Sequence, residues 1–221
     1  MRVLAVDTTT ARGSVALADG DDVLAEVRFT STDRHSTHAL PAVEFVLKSA
    51  GWDPGTPEGY AVTTGPGSFT GLRIGLSTVQ GLALASARPC LGISSLDVLA
   101  HRIAGSADWL VALIDARRDQ LYAGLYDRAG SPLGGPRVDS LERLLPHLPP
   151  QAAYVGDGAS RYRGEIAAWH PLSLFPERGP FLAGALARLA AARFAAGASG
   201  SAEGLRPLYL RGADTRRSPA R

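Results

Sequence analysis

Cysteine and lysine are almost missing. The 221 residues hold one of each, Cys90 and Lys48. A lone cysteine makes no intrachain disulfide and no zinc ribbon, and its rarity points to a reducing, cytoplasmic setting. Arginine supplies every other basic residue, which reads as coding bias. Long apolar runs are also missing: the least charged stretch, 74–87, is rich in Gly, Ser, Thr and Gln and falls short of a membrane span. No leader is visible, because the first residues run directly into the strand-like Arg2-Val3-Leu4-Ala5-Val6-Asp7. Nor is there an excess of one charge. Lys and Arg number 23 against 21 Asp and Glu, a net +2, which argues against a dedicated nucleic-acid sleeve. The small excess is local: residues 201–221 hold five Arg and two acids, which leaves residues 1–200 at a net −1.

What is present is a globular composition, 45% hydrophobic and 20% charged. The length suits one large domain or two small ones sharing a core. Strand signals at 2–7, 13–18 and 23–29 alternate with turns at 8–13 and 19–22, an antiparallel meander. A helix is expected over 37–50 from the spacing of Leu40, Val43, Val46/Leu47 and Ala50, with Ser36 or Thr37 as cap, Pro41 in the first turn and Gly51 as the stop. A short strand at 60–64 leads into Gly65-Pro66-Gly67-Ser68-Phe69-Thr70-Gly71-Leu72-Arg73, then a helix over 70–87, a strand at 90–93 and a helix to about 104.

The second half restarts the pattern. Trp109–Asp115 reads as a buried strand and Gln120–Asp127 as its hairpin partner. Sliding the chain by 108 residues sets Val3 on Val111, Val6 on Ile114, Asp7 on Asp115 and Leu17 on Leu125, a weak internal repeat. A loop at 131–137, a short helix near 140–146, a strand at 152–156 and helices near 159–168 and 181–196 follow. These elements predict a duplicated α/β fold: a first lobe over 1–106, a second over 107–211, and a basic tail over 212–221. Duplicated actin-like and sugar-kinase-like folds hold nucleotide phosphates between two Asp-bearing turns, which is an analogy of fold alone.

Several residues have chemistry to weigh. The Asp7-Thr8-Thr9-Thr10 turn offers a carboxylate and hydroxyls beside backbone N–H groups, enough for a phosphate or a magnesium-bound water. Equally, it is a side-chain-capped turn that closes a hairpin. Gly65 and Gly67 precede a helix start, which is an anion site in principle. They also suit a tight strand-to-helix connection, and no Lys follows to make a Walker A loop. The helix at 70–87 carries no charge from Ile74 to Ala87. It is either deeply buried or part of a helix-mediated interface. His35 and His38 stand at or before a helix start with no Cys or Glu near them in sequence, and His101, His147 and His170 are isolated, so no metal is expected. No G-x-S-x-G elbow occurs.

Taken together, the start Met1–Thr9 with Ser14–Leu17, Arg34-His35-Ser36 before Leu40-Pro41, the run Gly65–Gly75 with Gln80–Ala83, Ile114–Arg117 and Pro207–Arg211 resemble the bacterial TsaB family. That resemblance implies the actin-like (ASKHA, ribonuclease H-like) fold, two lobes each opening with a β-meander. It also implies a non-catalytic scaffold or activator of a TsaD-like subunit. That subunit moves threonylcarbamoyl from its AMP adduct to the adenosine beside the tRNA anticodon. A TsaE-like ATPase completes the complex, so metal and ATP belong on partner subunits and none in this chain. The partner would sit on Leu40, Val43, Leu47, Gly71, Leu72, Gly75, Leu76, Val79 and Leu82. Asp7, Thr8, Thr9, Gly65, Gly67 and Asp115 would be a vestigial phosphate site. A homodimer is a further expectation for the chain alone, and tRNA would be met indirectly or through the Arg-rich tail. The family's catalytic relative carries an H-x-x-x-H pair, whereas His35 and His38 are three apart. The other outcome left open is an independent phosphotransferase or hydrolase of the actin clan.

Overall fold

The computed structural model describes residues 1–30, 35–177, 179 and 181–210. Arg34, Arg211 and the expected tail at 212–221 lie outside them. The meander forms as β1 (Arg2–Asp7), β2 (Arg12–Asp19) and β3 (Asp22–Thr30), followed by α1 (His35–Ala50), β4 (Gly59–Gly65), α2 (Phe69–Ser86), β5 (Cys90–Ser94) and α3 (Ser95–Arg102). The second half gives β6 (Trp109–Asp115), β7 (Gln120–Asp127), β8 (Arg137–Ser140), α4 (Leu141–Leu144), β9 (Ala152–Val155), α5 (Asp157–Arg161), α6 (Arg163–Trp169) and α7 (Ala183–Ala195). The first sheet runs β3-β2-β1-β4-β5 and the second β8-β7-β6-β9. In both, an antiparallel meander is extended by parallel strands, β4 and β5 in one and β9 in the other. Leu174 pairs in parallel with Ala153, a one-residue counterpart of β5.

The sheets and helices stack in five layers because both faces of each central strand are apolar. On β1, Leu4 and Val6 face α1 and α2, while Val3 and Ala5 face α3 and α7. On β6, Leu110, Ala112 and Ile114 turn to the same middle layer, and Val111 and Leu113 face α4 to α6. The repeat is therefore real but its expected register is off by one residue. Shifting by 108 sets Val3, which faces the middle layer, on Val111, which faces outward. The register that preserves faces sets Leu4 on Val111 and Val6 on Leu113. A slip of one residue swaps the faces of a strand, so Asp7 and Asp115 are not equivalent.

The expected lobe boundaries also need correction. The sheets do divide between β5 and β6, but α7 packs on β1 to β5 and α3 packs on β6 and β7. The last helix of each half thus packs on the sheet of the other half. Strands β2 and β3 supply the cap of α7: Ser14 Oγ accepts from the Ala183 N–H at 3.0 Å and Glu26 Oε1 from the Gly184 N–H at 3.1 Å. Beyond α7 the chain stays with the first lobe. Cys90 N–H donates to the Gly200 carbonyl at 3.0 Å, Ala202 and Leu205 join the core under α2, and Leu208 N–H donates to the Thr64 carbonyl at 2.7 Å.

Local signals fix the helix ends. Gly51 takes φ +66° and Trp52 N–H reaches back to the Leu47 carbonyl at 2.9 Å, a left-handed stop. Ser68 caps α2 and Ser94 caps α3. Helix α1 begins at His35, so Ser36 and Thr37 lie within it rather than capping it, and Pro41 falls beyond its first turn on the exposed side. No helix among the described residues is long and apolar enough to cross a membrane.

Candidate functional site

The carboxyl ends of the parallel strands in both sheets open into one cleft of about 1370 Å³, the usual place for a ligand in open α/β sheets. Thr9, Arg12, Gly67, Ser68, Ser95, Asp115, Arg117 and Asp157 are among its lining residues. Most of the first turn's polar groups bond within the chain, although Thr9 and Thr10 border the cleft. Asp7, Thr8 and Thr9 are buried. Asp7 Oδ1 accepts from Thr9 N at 3.1 Å, Thr9 Oγ1 at 2.7 Å and Thr63 Oγ1 at 2.7 Å. Thr8 Oγ1 donates to the Gly71 carbonyl at 2.7 Å, and Ser68 N–H donates to the Thr9 carbonyl at 2.6 Å. These bonds stitch the turn to the start of α2.

The same stitching explains the glycines. A Cβ on Gly67 would stand 2.6 Å from the Thr9 carbonyl oxygen, one on Gly75 2.6 Å from Thr8 Oγ1, and one on Gly71 would collide with the Thr8 carbonyl oxygen. Gly65 has φ +108° and its Cβ position faces the Leu208 carbonyl at 3.1 Å. So Gly65, Gly67, Gly71 and Gly75 make room for the chain's own turn and C-terminal segment. Gly65, Gly71 and Gly75 are buried there, and Gly67 is half-buried at the edge of the cleft.

The second turn is held by different means. Asp115 Oδ1 accepts from Arg117 N–H at 2.8 Å and its Oδ2 from Arg161 at 2.9 Å, while the same guanidinium holds Asp119 at 2.9 Å. Arg117, Arg118 and Asp119 all take positive φ, between 54° and 63°, at about 1 kcal/mol or more each for non-glycine residues. Asp157 accepts from the Asp115 and Gly158 N–H groups, and burial pushes its carboxyl above the usual Asp range. Both expected phosphate-binding carboxylates are thus engaged inside the chain. Arg161 and Asp119, which fasten the second turn, carry no periodic or motif signal in the sequence.

The second candidate surface is the outer layer. Helices α1 and α2 lie side by side against the first sheet. Of the residues expected to meet a partner, Val43, Leu47, Gly71, Leu72, Gly75, Leu76 and Val79 are buried within this chain, and Leu82 is half-buried. The buried ones pack within this chain and offer little surface to a partner. Leu40 is the exception, at 57% exposure. The buried stripe of α1 runs through Ala39, Ala42, Val43, Val46 and Leu47, which leaves Leu40 on its flank. Helix α2 is not buried all round as its composition suggested. Its open side carries Phe69, Thr70, Arg73, Ser77, Gly81, Leu84 and Ala85. Sequence reasoning missed Phe45 and Leu84, exposed by 62% and 60%. The available signal was that each is a large apolar residue out of phase with its helix's buried stripe.

Comparisons with known proteins agree with this architecture. The family model described as TsaD, tRNA N6-adenosine threonylcarbamoyltransferase, matches residues 22–176. The tRNA threonylcarbamoyladenosine biosynthesis protein TsaB of Escherichia coli is 38% identical over 130 residues, 58% of this chain and 56% of that protein. Its Bacillus subtilis counterpart is 36% identical over 126 residues, 57% and 55% of the two chains. The chain thus spans about half the length of these curated relatives. The solved YeaZ from Pseudomonas aeruginosa shares 32% identity, covering 95% of this chain and 99% of its own, with a TM-score of 0.81. The dehydratase component A of Acidaminococcus fermentans, at 11% identity, covers 89% of this chain and 99% of its own with a TM-score of 0.59, a likeness of fold only. The architecture is the duplicated actin-like α/β fold.

Proposed function

The chain belongs to the TsaB family of tRNA threonylcarbamoyladenosine biosynthesis proteins, and we propose that it is a non-catalytic scaffold and activator of a TsaD-like transferase. It holds that subunit on the outer face of α1 and α2. The observation that carries this reading is the open side of α2. From Ile74 to Ala87 it has no charge, yet Gly81, Leu84 and Ala85 are exposed there. Leu40 and Phe45 stand out from the neighbouring α1. A solvated helix face normally carries charges, and an uncharged one with protruding apolar side chains marks a protein interface.

Two features support a chain without its own transfer chemistry. No two of its five histidines stand four apart in the sequence, and Asp7 and Asp115 are both engaged in fastening their own turns. Metal and nucleotide chemistry then belongs to partner subunits, an ATPase of the TsaE kind among them, and the modified adenosine is reached through the transferase.

Co-purification with a TsaD-like subunit, followed by a threonylcarbamoyl transfer assay on tRNA, tests this. The isolated chain transfers nothing, and the mixture is a stable complex with activity above that of the transferase alone. Leu84→Arg and Phe45→Asp abolish the complex while leaving the thermal midpoint of the isolated chain unchanged. Robust transfer by the isolated chain refutes the non-catalytic assignment. Complex formation by both variants refutes the interface.

A further inference from the structure

One buried hydroxyl at the cleft has no use within the fold. Ser95 is fully buried, and its Oγ makes no hydrogen bond among the described residues. Helix α3 does not need it, because Ser94 supplies the cap by accepting from the Leu96 N–H at 3.2 Å. Nearly all buried polar side-chain atoms have a partner, so an orphan calls for a reason. Ser95 borders the cleft together with Leu99 and Arg102, and spacings of four and three put these residues on one face of α3. Leu99 Cδ1 lies 3.3 Å from the point where a Cβ on Gly156 would stand. This face of α3 is therefore the floor between the two sheets.

The lining combines apolar side chains with a surplus of positive charge. Ile74, Ile114, Val155 and Leu182 border the cleft. So do four arginines, Arg12, Arg102, Arg117 and Arg163, against the carboxylates of Asp115, Asp157 and Glu177. Asp115 is taken by Arg161, and Asp157 accepts from two backbone N–H groups. Arg102 donates to the Gly179 carbonyl, and the Arg163 guanidinium lies 5.0 Å over the Phe175 ring. Arg12 and Arg117 have no ion pair among the described residues. Arg12 opens β2 and Arg117 stands in the turn between β6 and β7, so each sheet contributes one unpaired guanidinium to the cleft.

We propose that the cleft binds a small organic oxyanion with an apolar body, a carboxylate or a phosphate monoester, met by Arg12 and Arg117 at its anionic group and by Ser95 Oγ at a polar atom of its body. An apolar lining with a few convergent polar groups is the usual make-up of a small-molecule site. Guanidinium forks match the oxygens of either anion, and a cleft with a surplus of one charge concentrates ligands of the other. The site is separate from the outer face of α1 and α2, so it goes beyond the docking reading and does not rest on it.

Isothermal titration calorimetry on the full chain at low salt tests the assignment. The probes are benzoate and phenyl phosphate, with acetate and inorganic phosphate as controls that lack the apolar body. At least one probe binds about tenfold or more tighter than the control with its own anionic group. Arg12→Ala and Arg117→Ala each weaken that binding about 10- to 100-fold, the range for hydrogen bonds to a charged group. Ser95→Ala weakens it about 3- to 10-fold. Its urea midpoint stays at or above the native one, because the change removes a buried group that has no partner.

The proposal is overturned if neither probe binds at about 10 mM, or if the controls bind as well as the probes. It is also overturned if Ser95→Ala binds like the native chain; a lower midpoint with native binding assigns that hydroxyl to the fold. Mg-ATP bound more tightly than both probes overturns the ligand class in favour of a nucleotide. None of these results bears on co-purification with a TsaD-like subunit, so the two readings fail separately.

Discussion

Two glycines on α2 give opposite results when replaced by alanine. The intrinsic gain in helix propensity is the same for both, about 1 kcal/mol. Around Gly81 nothing lies within 4 Å of a new Cβ, so that gain is realised and Gly81→Ala stabilises by about 0.5 to 1 kcal/mol. At Gly71 the Cβ lands on the Thr8 carbonyl oxygen, a backbone atom. Relief requires the Asp7–Thr10 turn to back away from the helix. The bonds at risk are Thr8 Oγ1 to the Gly71 carbonyl at 2.7 Å and Ser68 N–H to the Thr9 carbonyl at 2.6 Å. A buried group left without its partner costs about 1 to 3 kcal/mol. Two such losses less the propensity gain leave Gly71→Ala destabilised by about 3 kcal/mol. Gly75→Ala falls between them: its neighbour Thr8 Oγ1, at 2.6 Å, can rotate away only by giving up one of these bonds. Urea unfolding followed by circular dichroism reads the difference. With a slope near 3 kcal/mol/M, the Gly71→Ala midpoint drops by about 1 M while the Gly81→Ala midpoint rises slightly. A Gly71→Ala midpoint equal to the native one refutes the contact between turn and helix.

Three further outcomes follow from side chains that tie the layers together. Ser14→Ala removes a cap supplied to α7 from β2 and lowers stability by about 1 kcal/mol in the same unfolding experiment; an unchanged midpoint refutes the cap. Asp157→Asn keeps the acceptor for the Asp115 and Gly158 N–H groups and removes a buried charge. Because burial raises the Asp157 pKa, its ionisation opposes folding, so native stability falls as pH rises from the ordinary Asp value of 3.8 through the raised folded value. Asp157→Asn is therefore more stable than the native chain at pH 7, and the gap closes in acid; a gap independent of pH counts against the assignment. Arg161→Ala releases Asp115 and Asp119, so the left-handed turn at 117–119 relaxes and trypsin cuts after Arg117 or Arg118 faster than in the native chain, with little change in global stability. Equal cleavage rates refute the fastening role.

Much of the fold is legible because the central strands announce themselves. Val3–Val6 and Leu110–Ile114 are continuous apolar runs ending in Asp, which only strands buried on both faces require. Strand β8 falls between an expected loop at 131–137 and an expected helix from about 140. Arg137-Val138-Asp139-Ser140 has no strand-like composition, and only its pairing with β7, Tyr122 to Val138 among others, makes it one. The destination of α7 was equally hidden. Its alanines suit any close packing, and nothing in them says that the helix crosses back to the first sheet. The open face of α2 escaped because Gly, Ser, Thr and Ala flatten its hydrophobic period. The helix reads as apolar on every side although one side is wet.

The site residues misled for a related reason. Small residues spaced by four are the pattern of a close helix approach, and α2 does have a close approach. Its neighbour there is the Thr8 turn of the same chain. That contact accounts for Gly71 and Gly75, which leaves the exposed side chains of α1 and α2 as the candidates for docking. Leu84 and Phe45 are exposed and lie outside their own core, and the proposed docking surface rests on them. The buried half of α2 then acquires a purpose in docking too. Fastened to the sheet, to Thr8 and, through Gln80 and the carbonyl of Ala202 at 3.1 Å, to the C-terminal segment, the helix is held rigid before a partner arrives. A face held in its binding geometry loses little conformational freedom on association, which is what a scaffold subunit needs from a helix that carries no charge to steer it.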